Sequence, residues 1–254
     1  MKVSRIKGWY KEYAKSCETV AKFLANKLKV KPNSKITELG CGEGAFTIPL
    51  ARELKNSQII AIDKDRKALE KLKSNVKRLG LKNVAIMKGD ARKLMGIEND
   101  SIDVVISHWL FGVITKHKDI RQIIKENYRI LKKGSLVVHS ESYPVCKNKA
   151  QWLYMKSDIL VFHTRWWDPK KIEKIMKRVG FKKITTKFLN FKIKIAPEIS
   201  IPLVREWQKL EYSFTGRKQA IFNPKLDSFL KIHENEIKKH GLEFPTEYIV
   251  IATK

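Results

Sequence analysis

Three glycines at alternating positions, Gly40, Gly42 and Gly44, stand directly behind a short apolar run in "ITELGCGEGAF", with an acid, Glu38, just ahead of them. Lacking a Cβ, glycine permits a tight turn and lets a ligand touch the backbone. Between a strand and a helix, such a turn marks the edge where open α/β sheets bind ligands, outside the carboxyl ends of the strands. The motif alone admits more than one ligand. Gly40-x-Gly42-x-x-Ala45 satisfies the G-x-G-x-x-A form of the dinucleotide fingerprint, and Asp63 follows about 20 residues on, where a ribose-binding acid belongs. Against a dinucleotide stands Glu38, which would repel a phosphate and welcome an ammonium group. Asp90, in "KGDA", puts another acid at the end of a later strand.

Those residues need a sheet to hold them. The segment 4–29 reads as a helix, with Tyr13, Cys17, Val20, Leu24 and Leu28 at helical spacing, and "KPNS" ends it. "KITEL" is a strand, "AFTIPLAREL" a helix, "QIIAIDKD" a strand, and "DRKALEKLKSNVKRLG" a helix stopped by Gly80. Strands "NVAIMKGD" and "SIDVVISH", a helix "KDIRQIIKENYRILKKG" and a strand "SLVVHS" continue the series. Strands alternating with helices imply parallel strands joined by right-handed crossovers. Their unbroken apolar runs suit a sheet covered on both faces.

Beyond Ser140 the pattern loosens into an aromatic-rich stretch, 141–167. "DPKKIEKIMKRVGF" then makes a helix with Pro169 in its first turn, and "KKITTKFLNFKI" a strand. The last strand, "TEYIVIATK", follows an insertion, 197–244, in which Leu226, Phe229, Leu230, His233 and Ile237 recur at helical spacing. We read the insertion as a helical cap over the ligand edge. That leaves 1–33 as an N-terminal helical segment and 34–196 plus 245–254 as the ligand-binding domain.

The chain of 254 residues carries 53 Lys and Arg against 26 Asp and Glu, a formal net charge of +27. The excess fits a polyanionic partner, an anionic substrate drawn in by the field, or a solvated lysine coat. Lysine-rich, isoleucine-rich and glutamine-poor usage looks thermophilic, although glutamate does not keep pace with lysine. No apolar run reaches the ~18 residues of a membrane span, and the first residues lack a signal peptide's apolar core. A cytoplasmic protein is therefore expected. Cys17, Cys41 and Cys146 have no CxxC spacing, which argues against a disulfide framework or a metal site.

Taken in order, "ITELGCGEGAF", Asp63, "KGDA", "NDSIDVVISHWLF" and "YRILKKGSLVV" resemble the class I S-adenosylmethionine-dependent methyltransferases. The resemblance is to the small-molecule branch that includes the menaquinone and ubiquinone C-methyltransferases, and it covers residues 34–140. Each motif is weak singly; the ordered set is specific. It implies a Rossmann-like, doubly wound α/β fold with a seven-stranded, mostly parallel sheet and an antiparallel last strand. It also implies S-adenosylmethionine as cofactor and S-adenosylhomocysteine as product. Glu38, Gly40, Cys41, Gly42 and Gly44 are then expected to wrap the methionine part. Asp63 should accept from both ribose hydroxyls, with Lys64 beside the adenine, and Asp90 from the adenine amino group, with Ala91 packing nearby. Ser107 and His108 should face the methyl group. "LKKGS" departs from the family's commoner proline and double-glycine turn, which affects a loop and little else.

A sulfonium is already a strong electrophile, so such an enzyme mainly aligns nucleophile, methyl carbon and sulfur and excludes water. A base is needed only for an acceptor that must lose a proton. His108 and Glu141, both at strand ends, are the catalytic candidates, with His163 more remote. Trp109, Trp152, Trp166 and Trp167 could face the sulfonium or a flat acceptor. The cap and the aromatic stretch favour a small-molecule acceptor. RNA is the alternative, on the charge and on the basic and aromatic mixture of 163–183, and a protein side chain a further one. Against RNA, no Asn-Pro-Pro-Tyr-like tetrapeptide follows the fourth strand, and Cys146 lacks the companion cysteine of the RNA cytosine C5-methyltransferases. Nonspecific nucleic-acid affinity is expected from the charge in either case.

Overall fold

The computed structural model describes residues 2–28, 30–191, 193–215 and 223–254, and their side chains outside 2–13 and 212–215. Helix α1 (Lys2–Leu28) leads into β1 (Lys35–Leu39), α2 (Thr47–Glu53), β2 (Gln58–Asp63), α3 (Arg66–Arg78), β3 (Val84–Lys88), β4 (Ile102–His108), α4 (His117–Ile130) and β5 (Leu131–Ser142). The chain continues through α5 (Lys149–Phe162), α6 (Pro169–Val179), β6 (Lys182–Asn190), β7 (Lys194–Ile195) and α7 (Pro197–Thr215). It ends with α8 (Pro224–Ile232), α9 (Glu234–His240), β8 (Leu242–Glu243) and β9 (Thr246–Thr253).

Seven strands form one sheet in the order β3-β2-β1-β4-β5-β9-β6, and only β9 runs antiparallel to its neighbours. The order reverses between β1 and β4, the switch point where such sheets open a crevice. Alternate residues explain the unbroken apolar runs. Leu39, Ile62, Val105, Val137 and Val250 pack with α4 and α6 on one face. Ile36, Ile59, Val104, Ile106, Val138 and Ile249 pack with α1 and α2 on the other. Tyr13, expected on the buried stripe of α1, lies outside the described side chains, whereas Cys17, Val20, Leu24 and Leu28 are buried.

A second core meets the sheet through Trp109 and Phe191. It is built from Leu153, Tyr154 and Val161 of α5, Leu203, Val204 and Trp207 of α7, Leu226 and Leu230 of α8, and Ile237 of α9. The helices of the insertion therefore share their core with α5, which precedes 197. Residues 216–222 of the insertion lie outside the described residues.

Two boundaries differ from expectation. The helix expected to run through Lys133 stops at Ile130, and the strand starts at Leu131. There Leu131 pairs beside Ile102, Lys132 Nζ reaches Asp103 Oδ1 at 2.7 Å, and the Gly134 N–H donates to the Lys254 carbonyl at 3.0 Å. The single helix expected at 224–240 is broken at His233 into α8 and α9. Among the described residues no helix is long and apolar enough to cross a membrane.

One side chain ties the first crossover together. Asn83 Nδ2 donates to the carbonyls of Ala51 (3.1 Å), Leu54 (3.1 Å) and Ser57 (3.2 Å), which joins the end of α2 to the start of β3. Asn83→Ala removes the donor from half-buried carbonyls and is expected to cost about 1–2 kcal/mol. Urea unfolding checks this; an unchanged midpoint would show that the tie carries no stability.

Candidate active site

The glycine turn takes its shape from β2. Gly40 N and Cys41 N both donate to the Ile62 carbonyl, at 2.8 and 3.1 Å, and Gly44 N closes back onto the Cys41 carbonyl at 3.0 Å. Gly44 has φ +94°, and a Cβ there would lie 2.3 Å from Leu72 Cδ1, so α3 packs directly on it. Gly42, at φ +51°, has nothing within 4 Å of where a Cβ would sit, which leaves the crown of the turn open to a ligand. Asp63 braces this crown: Oδ2 accepts from Gly42 N at 2.8 Å and Oδ1 from Asp65 N at 2.9 Å. Each oxygen takes one amide and keeps a lone pair for another donor. Lys64, beside it, is exposed.

Glu38 lies at the end of β1, only 2% exposed, and its Oε2 has no hydrogen-bond partner. Burial, with Asp63 nearby, pushes its carboxyl up from 4.5 to about 7, against a hydrogen bond from Thr47. Asp90, just beyond the end of β3, already carries a partner of its own. Arg92 forks onto it, with Nε 3.0 Å from both oxygens and Nη2 2.5 Å from Oδ2. That pairing holds the Asp90 carboxyl below its usual range. Both groups are solvent-accessible, so the ion pair is weak enough for Asp90 to take a second donor. Ala91 lies next to it, half-buried against the α4-side core.

The residues at the ends of β4 and β5 divide between the two faces of the sheet. Ser107 turns toward α4, where its Oγ lies 2.8 Å from His139 Nδ1, and His139 Nε2 accepts from Asn127 Nδ2 at 3.3 Å. Glu141 turns the same way: its oxygens accept from Phe111 N (2.7 Å) and Gly112 N (3.1 Å), clamping the turn after β4. Burial pushes its carboxyl up to about 8.

His108 turns toward α1. Its ring is stacked between Phe46, at 4.8 Å, and Trp109, at 4.2 Å. Nε2 lies 3.8 Å from Cys17 Sγ, and Nδ1, which has no hydrogen-bond partner, lies 4.0 Å from Glu247 Oε2. Burial pushes His108 down to about 3, so the imidazole is neutral and a weak base.

The structure therefore brings Glu38, Cys41, His108 and the glycine turn together, with Asp63 and Asp90 along the same edge, and turns Ser107 and Glu141 away from His108. His163 is exposed and ends α5 in the left-handed conformation at φ +55°. Among the described tryptophans, Trp109 alone stacks on His108; Trp167 donates to the Phe111 and Ile114 carbonyls, and Trp166 to Asp158. Glu247 escaped the sequence reading. The one signal for it was an acid inside the apolar run of "TEYIVIATK".

A family model described as "Methyltransferase domain" matches residues 30–190, and the chain belongs to that family. Over 123 residues it is 28% identical to the probable cobalt-precorrin-6B C(15)-methyltransferase (decarboxylating) of Saccharolobus solfataricus, a match covering 48% of this chain and 59% of the relative. Over 103 residues it is 37% identical to the tRNA (cytosine(72)-C(5))-methyltransferase of Pyrococcus horikoshii, covering 39% of this chain and 26% of the relative. The chain thus spans less than two thirds of either relative. A SAM dependent methyltransferase from Archaeoglobus fulgidus superposes with a TM-score of 0.58 at 18% identity, over 94% of each chain. The fold is that of the class I S-adenosylmethionine-dependent methyltransferases.

The state of Glu38 is measurable. An acid whose folded pKa is raised costs stability as pH climbs, because the unfolded chain ionises first, from about 4.5, and the folded one only through about 7. Glu38→Gln is expected to raise the stability of the ligand-free protein by about 1–3 kcal/mol at pH 8 and to leave it near wild type at pH 4. Thermal melts at the two pH values decide; an equal change at both would contradict a buried, uncompensated carboxyl.

Proposed function

We propose that the protein transfers a methyl group from S-adenosylmethionine to a small-molecule acceptor by in-line displacement, acting mainly through positioning. The observation that carries this is the ordered edge of the sheet: a buried acid, an open glycine turn and two further acids at the ends of β1, β2 and β3. The donor set suits the cofactor's chemistry. The unpartnered Glu38 Oε2 matches the ammonium of its methionine part, Gly40 to Gly44 wrap that part, and Asp63 offers a lone pair per oxygen to vicinal ribose hydroxyls. Asp90 accepts from the adenine amino group while keeping Arg92, and Lys64 and Ala91 flank the ring. Bound there, the cofactor supplies an electrophilic methyl group. His108, Phe46 and Trp109 wall the space beyond it and keep water out.

A small acceptor suits the surroundings better than RNA. The described lysines of α1, Lys15, Lys22 and Lys27, and those of α6 belong to helices on opposite faces of the sheet, because α1 packs with Ile106 and Val138 while α6 packs with Val105 and Val137. They make poor halves of one track leading to the methyl group. We assign α1 and the second core, including 197–244, the role of a cap that encloses the acceptor. The +27 charge favours a second reading, RNA methylation, and the relatives' names include both a precorrin and a tRNA methyltransferase.

Titration calorimetry tests the cofactor: S-adenosylmethionine and S-adenosylhomocysteine should bind and NAD should not. Asp63→Ala should lose about 1.5–3 kcal/mol of cofactor affinity, through charge-assisted hydrogen bonds. Unchanged affinity, or tighter NAD binding, would overturn the assignment. Methyl-labelled S-adenosylmethionine with cell extract split into small-molecule, RNA and protein fractions tests the acceptor. Label is expected in the small-molecule fraction; label in RNA would replace that reading with the second.

A further inference from the structure

We propose that Glu247 is the anionic anchor for an acceptor that arrives as a protonated amine, so that the reaction is N-methylation of a small cationic amine. The inference rests on the methyl-transfer reading above and narrows its substrate class.

Glu38, Glu141 and Glu247 are the buried carboxylates among the described residues. Glu38 is matched to the cofactor's ammonium. Glu141 holds two backbone amides on the α4 face. Glu247, 0% exposed, accepts from Ser140 Oγ at 3.1 Å through Oε2 and interacts with the Trp109 indole N–H, and no other donor among the described residues reaches Oε1. Among the described residues no lysine or arginine forms an ion pair with it. Two neutral donors leave lone pairs of this buried carboxyl open to a further, charged one.

Register places that carboxyl beside the chemistry. His108 pairs with Ser140 and Ser140 with Ile249, so Glu247, two residues before Ile249, lies on the same face as His108 and Glu38. His108 Nδ1, without a hydrogen-bond partner, is 4.0 Å from Glu247 Oε2. A buried acid and a neutral imidazole thus converge where β4 ends.

Rings complete the enclosure. Trp109 faces Glu247 and lies 5.7 Å from Phe244; Tyr154 lies 5.4 Å from Phe244 and 5.3 Å from Trp207. Aromatic faces around a buried acid that has no lysine or arginine partner attract an ammonium. In a chain at +27 the long-range field opposes a cation, so a local acid has to hold it.

The titratable groups around Glu247 are Cys17 on α1, His108 on β4, Glu141 on β5 and Tyr154 on α5. Burial pushes Glu247 up to about 8. At neutral pH it is largely protonated, and an arriving ammonium displaces that proton to solvent. The ammonium then gives one proton to the carboxylate, which frees the nitrogen lone pair. The nitrogen–carbon bond forms as the carbon–sulfur bond breaks, its electron pair staying on sulfur as a neutral thioether. The product leaves as the methylated ammonium, and Glu247 keeps the proton it took and is back in its starting state, so the cycle releases one proton, the one displaced on binding.

The test titrates alkylammonium ions, from methyl- to benzylammonium, against the protein loaded with S-adenosylhomocysteine at pH 7. Each is compared with the alcohol of the same carbon skeleton. At least one ammonium should bind about tenfold or more tightly than its alcohol, releasing about one proton per cation bound. Glu247→Gln should abolish the preference and the proton release while keeping S-adenosylhomocysteine affinity within about twofold. The proposal is overturned if no ammonium outbinds its alcohol, or if the preference survives in Glu247→Gln. Proton release is read on the wild type alone, so its absence overturns the proposal even if the variant does not fold. Failure of S-adenosylhomocysteine to bind overturns the methyl-transfer reading itself, and is seen before any amine is added.

Discussion

The ligand edge is organised around carboxyl groups removed from water and given no cation. Among the described residues of a chain at +27, no lysine or arginine is buried, yet Glu38, Glu141 and Glu247 are. A buried carboxylate without a counter-charge is too costly to keep ionised, so the carboxyl group holds its proton to higher pH. Burial sets Glu38 near 7 and Glu141 and Glu247 near 8. The buried acids of such an edge tend to hold protons when it is empty and ionise when a cation enters. Its preference is for positively charged ligands, the property a sulfonium amino acid requires.

The fold supplies this environment through two covers on one sheet. Helix α1 closes the face that carries Glu38, His108 and Glu247, with Cys17 against the His108 ring. The second core closes the end of the site through Trp109, whose φ of +56° turns the chain sharply after β4. Glu141 fixes that turn from the opposite face by holding the Phe111 and Gly112 amides. Acids on the two faces therefore do different work. One face keeps acceptor sites open on its acids, and the other uses both oxygens of Glu141 to hold the backbone that shapes the site.

Much of this was legible in the sequence. The strands around the glycine turn are unbroken apolar runs bounded by turn residues, and β1 falls where "KITEL" placed it. Helix α6 has Pro169 at its start and Gly180, φ +116°, at its end, both readable as stops. Helix α5 was not legible, because a helix packed against α7 to α9 and β8 is apolar around much of its surface and shows no stripe. The facing of strand-end residues was hidden for another reason. His108 and Glu141 look equivalent in sequence, yet pairing register sends one to each face, as it sends Glu247 beside His108. The Arg92 fork on Asp90, two residues away, also needed the folded turn to be seen.

The central claim is that buried carboxyl groups stand protonated at this edge until a cation arrives. Infrared spectroscopy reads it directly, since a protonated carboxyl absorbs apart from a carboxylate. The ligand-free protein at pH 7 should show protonated carboxyl absorption. Saturating S-adenosylmethionine should remove the part contributed by Glu38, a change missing in Glu38→Gln. A ligand-free spectrum without protonated carboxyl absorption at pH 7, or one unaltered by the bound cofactor, would contradict the account.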